Sequence, residues 1–132
     1  MNDKSILFVC VENAARSQMA EAFFRKHIPV GYRVYSAGTK PSTTINPLVI
    51  EVMKEVGIDL TKQKPKKLSE DMILNCGKTI NMGCMDKDAC PALFTKNIVD
   101  WKIDDPKGKS LEEIRKIRDE IERKIKELLA SI

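Results

Sequence analysis

The segment Cys10-Val11-Glu12-Asn13-Ala14-Ala15-Arg16-Ser17 places a thiol and a guanidinium at the two ends of a short run of small and polar residues. Ala14 and Ala15 let the backbone curl tightly, so that its amide N–H groups converge on an anion at the N-terminus of a following helix. Arg16 brings a planar fork that holds two oxygens of a tetrahedral oxyanion. The same positive field is expected to favour the thiolate of Cys10, and Ser17 offers it a hydroxyl donor. A nucleophile and a charge-stabilising cradle arriving together are what attack on phosphate or arsenate requires. The plainer reading is a small cysteine ending a buried strand and a surface arginine opening a helix. A bare C-x5-R match is weak, but its place between strand and helix, with Ser17 next, makes the functional reading the stronger.

Two further features carry chemistry. Cys84-Met-Asp-Lys-Asp-Ala-Cys90-Pro91 holds two thiols in a polar stretch, and such a pair can bind metal, form a disulfide or merely pack. Zinc is disfavoured, because His27 is the only histidine and there is no second closely spaced cysteine pair. A reversible disulfide fits better. Asp104-Asp105-Pro106 reads from its residues alone as a solvated turn before a helix.

The elements that must position these groups are legible from periodicity. Residues 5–10 (SILFVC) form a short apolar run suited to a buried strand. Met19, Ala20, Phe23 and Phe24 recur at helical spacing. Residues 32–37 suit a second strand ending near Gly38. Asn46 caps a helix that opens on Pro47, buries Leu48, Val49, Val52, Met53 and Val56, and stops at Gly57. A short helix over 69–75 and a strand around 78–82 follow. Residues 83–96 show neither period and read as a long loop, which in a compact domain is usually functional. Residues 98–101 add a short strand. Ser110-x-x-Glu113 is a capping box for a last helix, which buries Leu111, Ile114, Ile117, Ile121, Ile125 and Leu128. Its wet side offers pairs such as Asp119–Arg123 and Glu120–Lys124. The βαβα order predicts an α/β fold, a parallel sheet with helices on both faces. Ligands bind such sheets at the carboxyl ends of the strands, where Cys10 is placed.

Composition bounds the rest. The 132 residues, 42% hydrophobic and 32% charged, suit one globular domain over residues 1–132. The apolar run 6–10 is too short for a signal-peptide core or a membrane span, so a cytoplasmic location and no membrane partner are expected. In a reducing compartment the four cysteines read as catalytic or metal-binding, not as a structural disulfide framework. Lys62, Lys64, Lys66 and Lys67 form a basic cluster without an aromatic platform, so a solvated loop is preferred and no nucleic acid is expected.

The loop C-x5-R-S resembles that of the low-molecular-weight protein tyrosine phosphatases, and RSQMAEAF resembles their relatives, the thioredoxin-coupled arsenate reductases. The similarity runs through VYSAG ending at Gly38, EVMKEVGIDL at 51–60, MGC at 82–84 and DWKIDDPKGK at 100–109. It covers nearly the whole chain. The resemblance implies a four-stranded parallel sheet flanked by helices, a flavodoxin-like three-layer architecture. It implies arsenate as substrate, with phosphate or sulfate competing and thioredoxin or a similar dithiol as reductant, in the setting of arsenical resistance. Residues 11–17 would bind the oxyanion, Cys10 would attack it, and Cys84 would attack the thiol–arsenic adduct to leave a Cys10–Cys84 disulfide. Cys90 would then attack Cys84 and leave Cys84–Cys90 for the reductant. Asp105 resembles the family's general acid, with Asp104 as its neighbour. No cofactor is implied.

Some positions depart from the family pattern. Glu12 puts a carboxylate where some relatives have glycine, so its side chain must point outward or oppose the substrate. Ala15 replaces a second loop cysteine. Asn13, Glu21 and Ser36 match oxygen ligands of a potassium site in some relatives, but Lys66 falls near the expected acidic ligand, and no metal is assigned. Cys76 matches no family cysteine and reads as structural. The competing function is a tyrosine phosphatase using Cys10, Arg16 and Asp105. That enzyme needs no second thiol and usually carries an aromatic after Asp-Pro, where this chain has Lys107 and Gly108. A third reading is an anion-binding or redox-sensing module.

Overall fold

In a computed structural model, residues 2–82 and 98–132 are described. Strand β1 (Asn2–Cys10) leads into helix α1 (Arg16–Lys26), strand β2 (Arg33–Gly38), helix α2 (Pro47–Lys54), helix α3 (Glu70–Asn75), strand β3 (Cys76–Asn81), strand β4 (Ile98–Asp100) and helix α4 (Leu111–Ala130). The sheet is parallel throughout, in the order β2-β1-β3-β4. Because β1 lies inside, the alternation of its side chains divides the core. Ile6 and Phe8 enter one cluster with Phe23, Phe24, Val52 and Ile121. Leu7 and Val9 enter another with Ala37, Leu68, Ile73 and Cys76. Helices α1, α2 and α4 therefore cover one face and α3 the other, the three layers expected.

Phe8 is fully buried, meeting Phe24 edge-on at 6.3 Å between ring centroids and Trp101 at 5.7 Å. Each such buried side chain stabilises the fold by about 1.5–3 kcal/mol. Helix α2 starts as its sequence dictates, with Asn46 Oδ1 accepting the Leu48 amide at 2.9 Å and proline in the first turn. Gly57, at φ +82°, ends the turn that follows it. Leu48 is a correction: it is exposed, because the buried stripe of this short helix runs through Val49, Val52 and Met53.

The capping box of α4 is complete, Ser110 Oγ accepting the Glu113 amide and Glu113 Oε1 accepting the Ser110 amide, both at 3.2 Å. The salt bridges of α4 differ from expectation. Arg118 reaches across to the Val52 carbonyl and Glu55, both at 2.9 Å, and takes Asp119 at 2.9 Å as well. Arg123 pairs with Glu127, and the Lys124 ammonium lies 5.9 Å from the Trp101 ring centroid. Asp119 is taken by Arg118, and Arg123 turns to Glu127 one turn on. Pairs along one helix are worth only a few tenths of a kcal/mol, about 0.2–0.5, so such exchanges cost little.

Candidate active site

Cys10 ends β1, and the loop 11–15 turns from it into α1. The turn is built by outward-facing carbonyls. Those of Cys10, Val11, Glu12 and Ala14 accept the amides of Thr39, Lys40, Ser42 and Asn46 at 2.8–3.3 Å. These bonds hold the loop's carbonyls to the segment after β2, while the Asn13 amide turns to the Cys10 sulfur. Gly38 permits this approach, since a Cβ there would run into the Val11 carbonyl and sit 2.9 Å from the Asn13 amide. Helix α1 has no side-chain cap at Ala15 and no acidic residue in its first turn, so its N-terminal field is not cancelled locally.

Asn13 sits at φ +51°, a left-handed conformation that asparagine tolerates better than most residues. It is fully buried and its polar atoms are used. Its amide donates to Cys10 Sγ at 3.1 Å, its Nδ2 to Ser17 Oγ at 2.7 Å, and its Oδ1 accepts from Gln18 Nε2 and the Lys66 amide. Ser17 Oγ lies 2.9 Å from Cys10 Sγ, and toward a thiolate the hydroxyl is the donor. A thiolate at Cys10, a residue only 4% exposed, thus meets two donors beside a helix N-terminus. Cys10 is expected to alkylate as a thiolate well below the pH at which an ordinary thiol ionises. Iodoacetamide rates against pH measure this, and a Cys10 that titrates like a free cysteine contradicts it.

Arg16 is 6% exposed. Its Nη1 donates to the carbonyls of Ile103 at 2.6 Å and Met82 at 3.4 Å, and its Nη2 lies 3.7 Å from Asp105 Oδ2. One arm of the guanidinium is therefore anchored by the chain beyond β3 and β4 while the residue lines the pocket. Asp105 forms the turn that its residues predict. Its Oδ1 accepts the Lys107 amide at 3.0 Å, and the residue lines the pocket that Cys10 and Arg16 also line. Asp104 is exposed and is not among the pocket-lining residues.

The open pocket has a volume of about 560 Å³ and is lined by Cys10, Val11, Glu12, Ala14, Ala15, Arg16 and Asp105 together with residues of 42–47 and Lys107. Asn13 and Ser17 stand behind the loop, touching the sulfur. The wall at 42–47 and the amides that pin the loop were missed by sequence reasoning. Only Asn46 and Pro47 carried a signal there, as the cap and first residue of a helix. Glu12 does not stand alone, for its carboxylate is 3.6 Å from the Lys107 ammonium, and both residues line the pocket. Cys84 and Cys90 lie outside the described residues.

Glu21 is buried and accepts from Ser36 Oγ and, at 2.6 Å, from Arg25, while the Lys66 ammonium is 3.8 Å from it. Cys76 is buried at the start of β3, paired in register with Asn2. Counted along β3, whose Asn81 pairs with Val9, that is about 20 Å from Cys10 at about 3.3 Å per residue, toward the opposite end of the sheet.

The family model for low molecular weight phosphotyrosine protein phosphatases matches residues 5–132. The arsenate reductase of Brevibacillus brevis is 42% identical over 127 residues, which cover 95% of this chain and 93% of that protein. A thioredoxin-dependent arsenate reductase from Corynebacterium glutamicum superposes with a TM-score of 0.79 at 37% identity over 96% of this chain, which spans 60% of that one. A structure of an arsenate reductase in a phosphate-binding state gives a TM-score of 0.82 at 32% identity over 98% of each chain. The C-x5-R-S loop, the parallel sheet that carries it and these matches have one meaning: the chain belongs to the low molecular weight phosphotyrosine protein phosphatase family.

Proposed function

We propose that this chain, acting as a single domain over residues 1–132, reduces arsenate to arsenite. The observation that carries the reading is the Cys10 sulfur held by the Asn13 amide and Ser17 in a pocket that Arg16 and Asp105 also line. Arsenate reductases at about 40% identity over most of the chain support it.

The thiolate of Cys10 attacks arsenic(V), and an oxygen leaves as water with a proton from Asp105. Arg16, the loop amides of 11–15 and the N-terminus of α1 stabilise the charge on the remaining oxygens. Cys84 then attacks the Cys10 sulfur. The S–As bond breaks, its electron pair passes to arsenic, and arsenite departs as a Cys10–Cys84 disulfide forms. Attack of Cys90 on Cys84 frees Cys10 and leaves Cys84–Cys90, which thioredoxin or a similar dithiol reduces. Two electrons enter arsenic and two thiols supply them, so no cofactor takes part. Met82, two residues before Cys84 in sequence, has its carbonyl on Arg16. Phosphate or sulfate competes for the same cradle.

The proposed setting is arsenical resistance in the cytoplasm, and no helix among the described residues is long and apolar enough to cross a membrane. The family's own name favours a second reading, a phosphatase using Cys10, Arg16 and Asp105. One assay separates them: arsenate-dependent NADPH consumption with thioredoxin and its reductase, run beside hydrolysis of an aryl phosphate. Arsenate turnover with feeble ester hydrolysis is expected. Ester hydrolysis without arsenate turnover overturns the proposal in favour of the phosphatase.

A further inference from the structure

The structure assigns Lys107 a role in oxyanion binding: it is the counter-charge that cancels Glu12, so that a carboxylate in the anion loop does not oppose the substrate. This rests on the oxyanion-pocket reading above. Glu12 belongs to the loop that joins Cys10 to α1, and the residue lines the pocket. Uncompensated, it would place a negative charge beside a site built to gather positive field from Arg16, the loop amides and the N-terminus of α1. The Lys107 ammonium lies 3.6 Å from Glu12 Oε1, and Lys107 lines the same pocket. Its position is not left to a flexible loop, because the Lys107 amide is bound at 3.0 Å by Asp105 Oδ1. The Asp105 turn therefore serves two ends, presenting its own carboxyl to the pocket and carrying the cation that neutralises Glu12.

The magnitude decides what the pair does. The two side chains are 39% and 77% exposed, and ion pairs this wet add little to stability. Their effect on a bound oxyanion is different in kind, since it depends on net charge at the rim and not on the strength of the pair. Coulomb's law across roughly 8 Å makes one unit charge worth about thirtyfold in oxyanion affinity at an effective dielectric of about 20 and about twofold at that of water. For side chains this wet, about three- to tenfold is expected. Intact, the pair is neutral and the cradle keeps its field.

Inorganic phosphate is the probe, titrated calorimetrically at low ionic strength into the full chain, so that the test does not depend on arsenate turnover. Lys107→Gln leaves the carboxylate bare and is expected to weaken phosphate binding about three- to tenfold. Glu12→Gln leaves the ammonium bare and is expected to tighten it by a similar factor. The double variant and Lys107→Arg are both expected to stay near wild type. All differences should shrink at about 1 M salt, where the screening length falls to roughly 3 Å. Weakening by both single variants would show a structural clasp between the loops and overturn the assignment, as would a Lys107→Gln protein that binds like wild type. Phosphate binding without arsenate turnover would cost the reductase reading alone. A wild type that binds no phosphate would remove the pocket reading, and the inference with it.

Discussion

A Cys84→Ser protein is expected to lose arsenate turnover while keeping whatever phosphate-ester hydrolysis the wild type shows, and Cys10→Ser is expected to lose both by several orders of magnitude. The asymmetry follows from what each reaction asks of the site. Ester hydrolysis needs a nucleophile, a cradle and an acid, which Cys10, Arg16 and Asp105 bring to one pocket. Reduction adds a second thiol, because the S–As bond of the first adduct must break toward arsenic. The serine in Cys10→Ser retains the shape of the loop, and Ser17 and the Asn13 amide still have an atom to bond, so misfolding would not explain the loss. Steady-state rates with arsenate and with an aryl phosphate, measured on the same preparations, check the prediction. Arsenate turnover by Cys84→Ser would mean that some other thiol completes the reduction.

Asp105→Asn is expected to slow the chemical step by about 10²–10⁴-fold, the usual worth of a positioned general acid. Asparagine keeps the Oδ1 that accepts the Lys107 amide, so the turn survives and only the proton is lost. Asp104→Asn should cost far less, because Asp104 is exposed and is not among the residues lining the pocket. Single-turnover rates distinguish the two. Equal, small effects from both would return Asp105 to the role of a turn residue.

The strand–loop–helix that carries Cys10 and Arg16 was legible in the sequence because each part has a local signature. The apolar run of 5–10, the small residues of the loop and the helical spacing of Met19, Ala20, Phe23 and Phe24 all act over a few positions. The Asn46 cap and the Ser110–Glu113 box are local in the same way. What the sequence hid is held by contacts between distant segments. The amides of Thr39, Lys40 and Ser42 that pin the anion loop are backbone groups, which every residue type carries. The match of Glu12 with Lys107 joins two loops far apart in the chain. Arg118 gave no hint that it would leave its own helix for Glu55. The roles of Cys84 and Cys90 came from family resemblance, since thiols at that spacing fit several chemistries.

The relay itself is tested most directly by non-reducing peptide mapping after one exposure to arsenate with no reductant. Wild type should accumulate Cys84–Cys90 with Cys10 free to alkylate, and Cys90→Ser should release one arsenite and stop with Cys10 and Cys84 joined, because exchange needs a third thiolate within reach. Cys76 does not confuse the result, being buried about 20 Å from Cys10 toward the far end of the sheet. Arsenite formed by a protein in which Cys10 never enters a disulfide or an adduct would contradict the account.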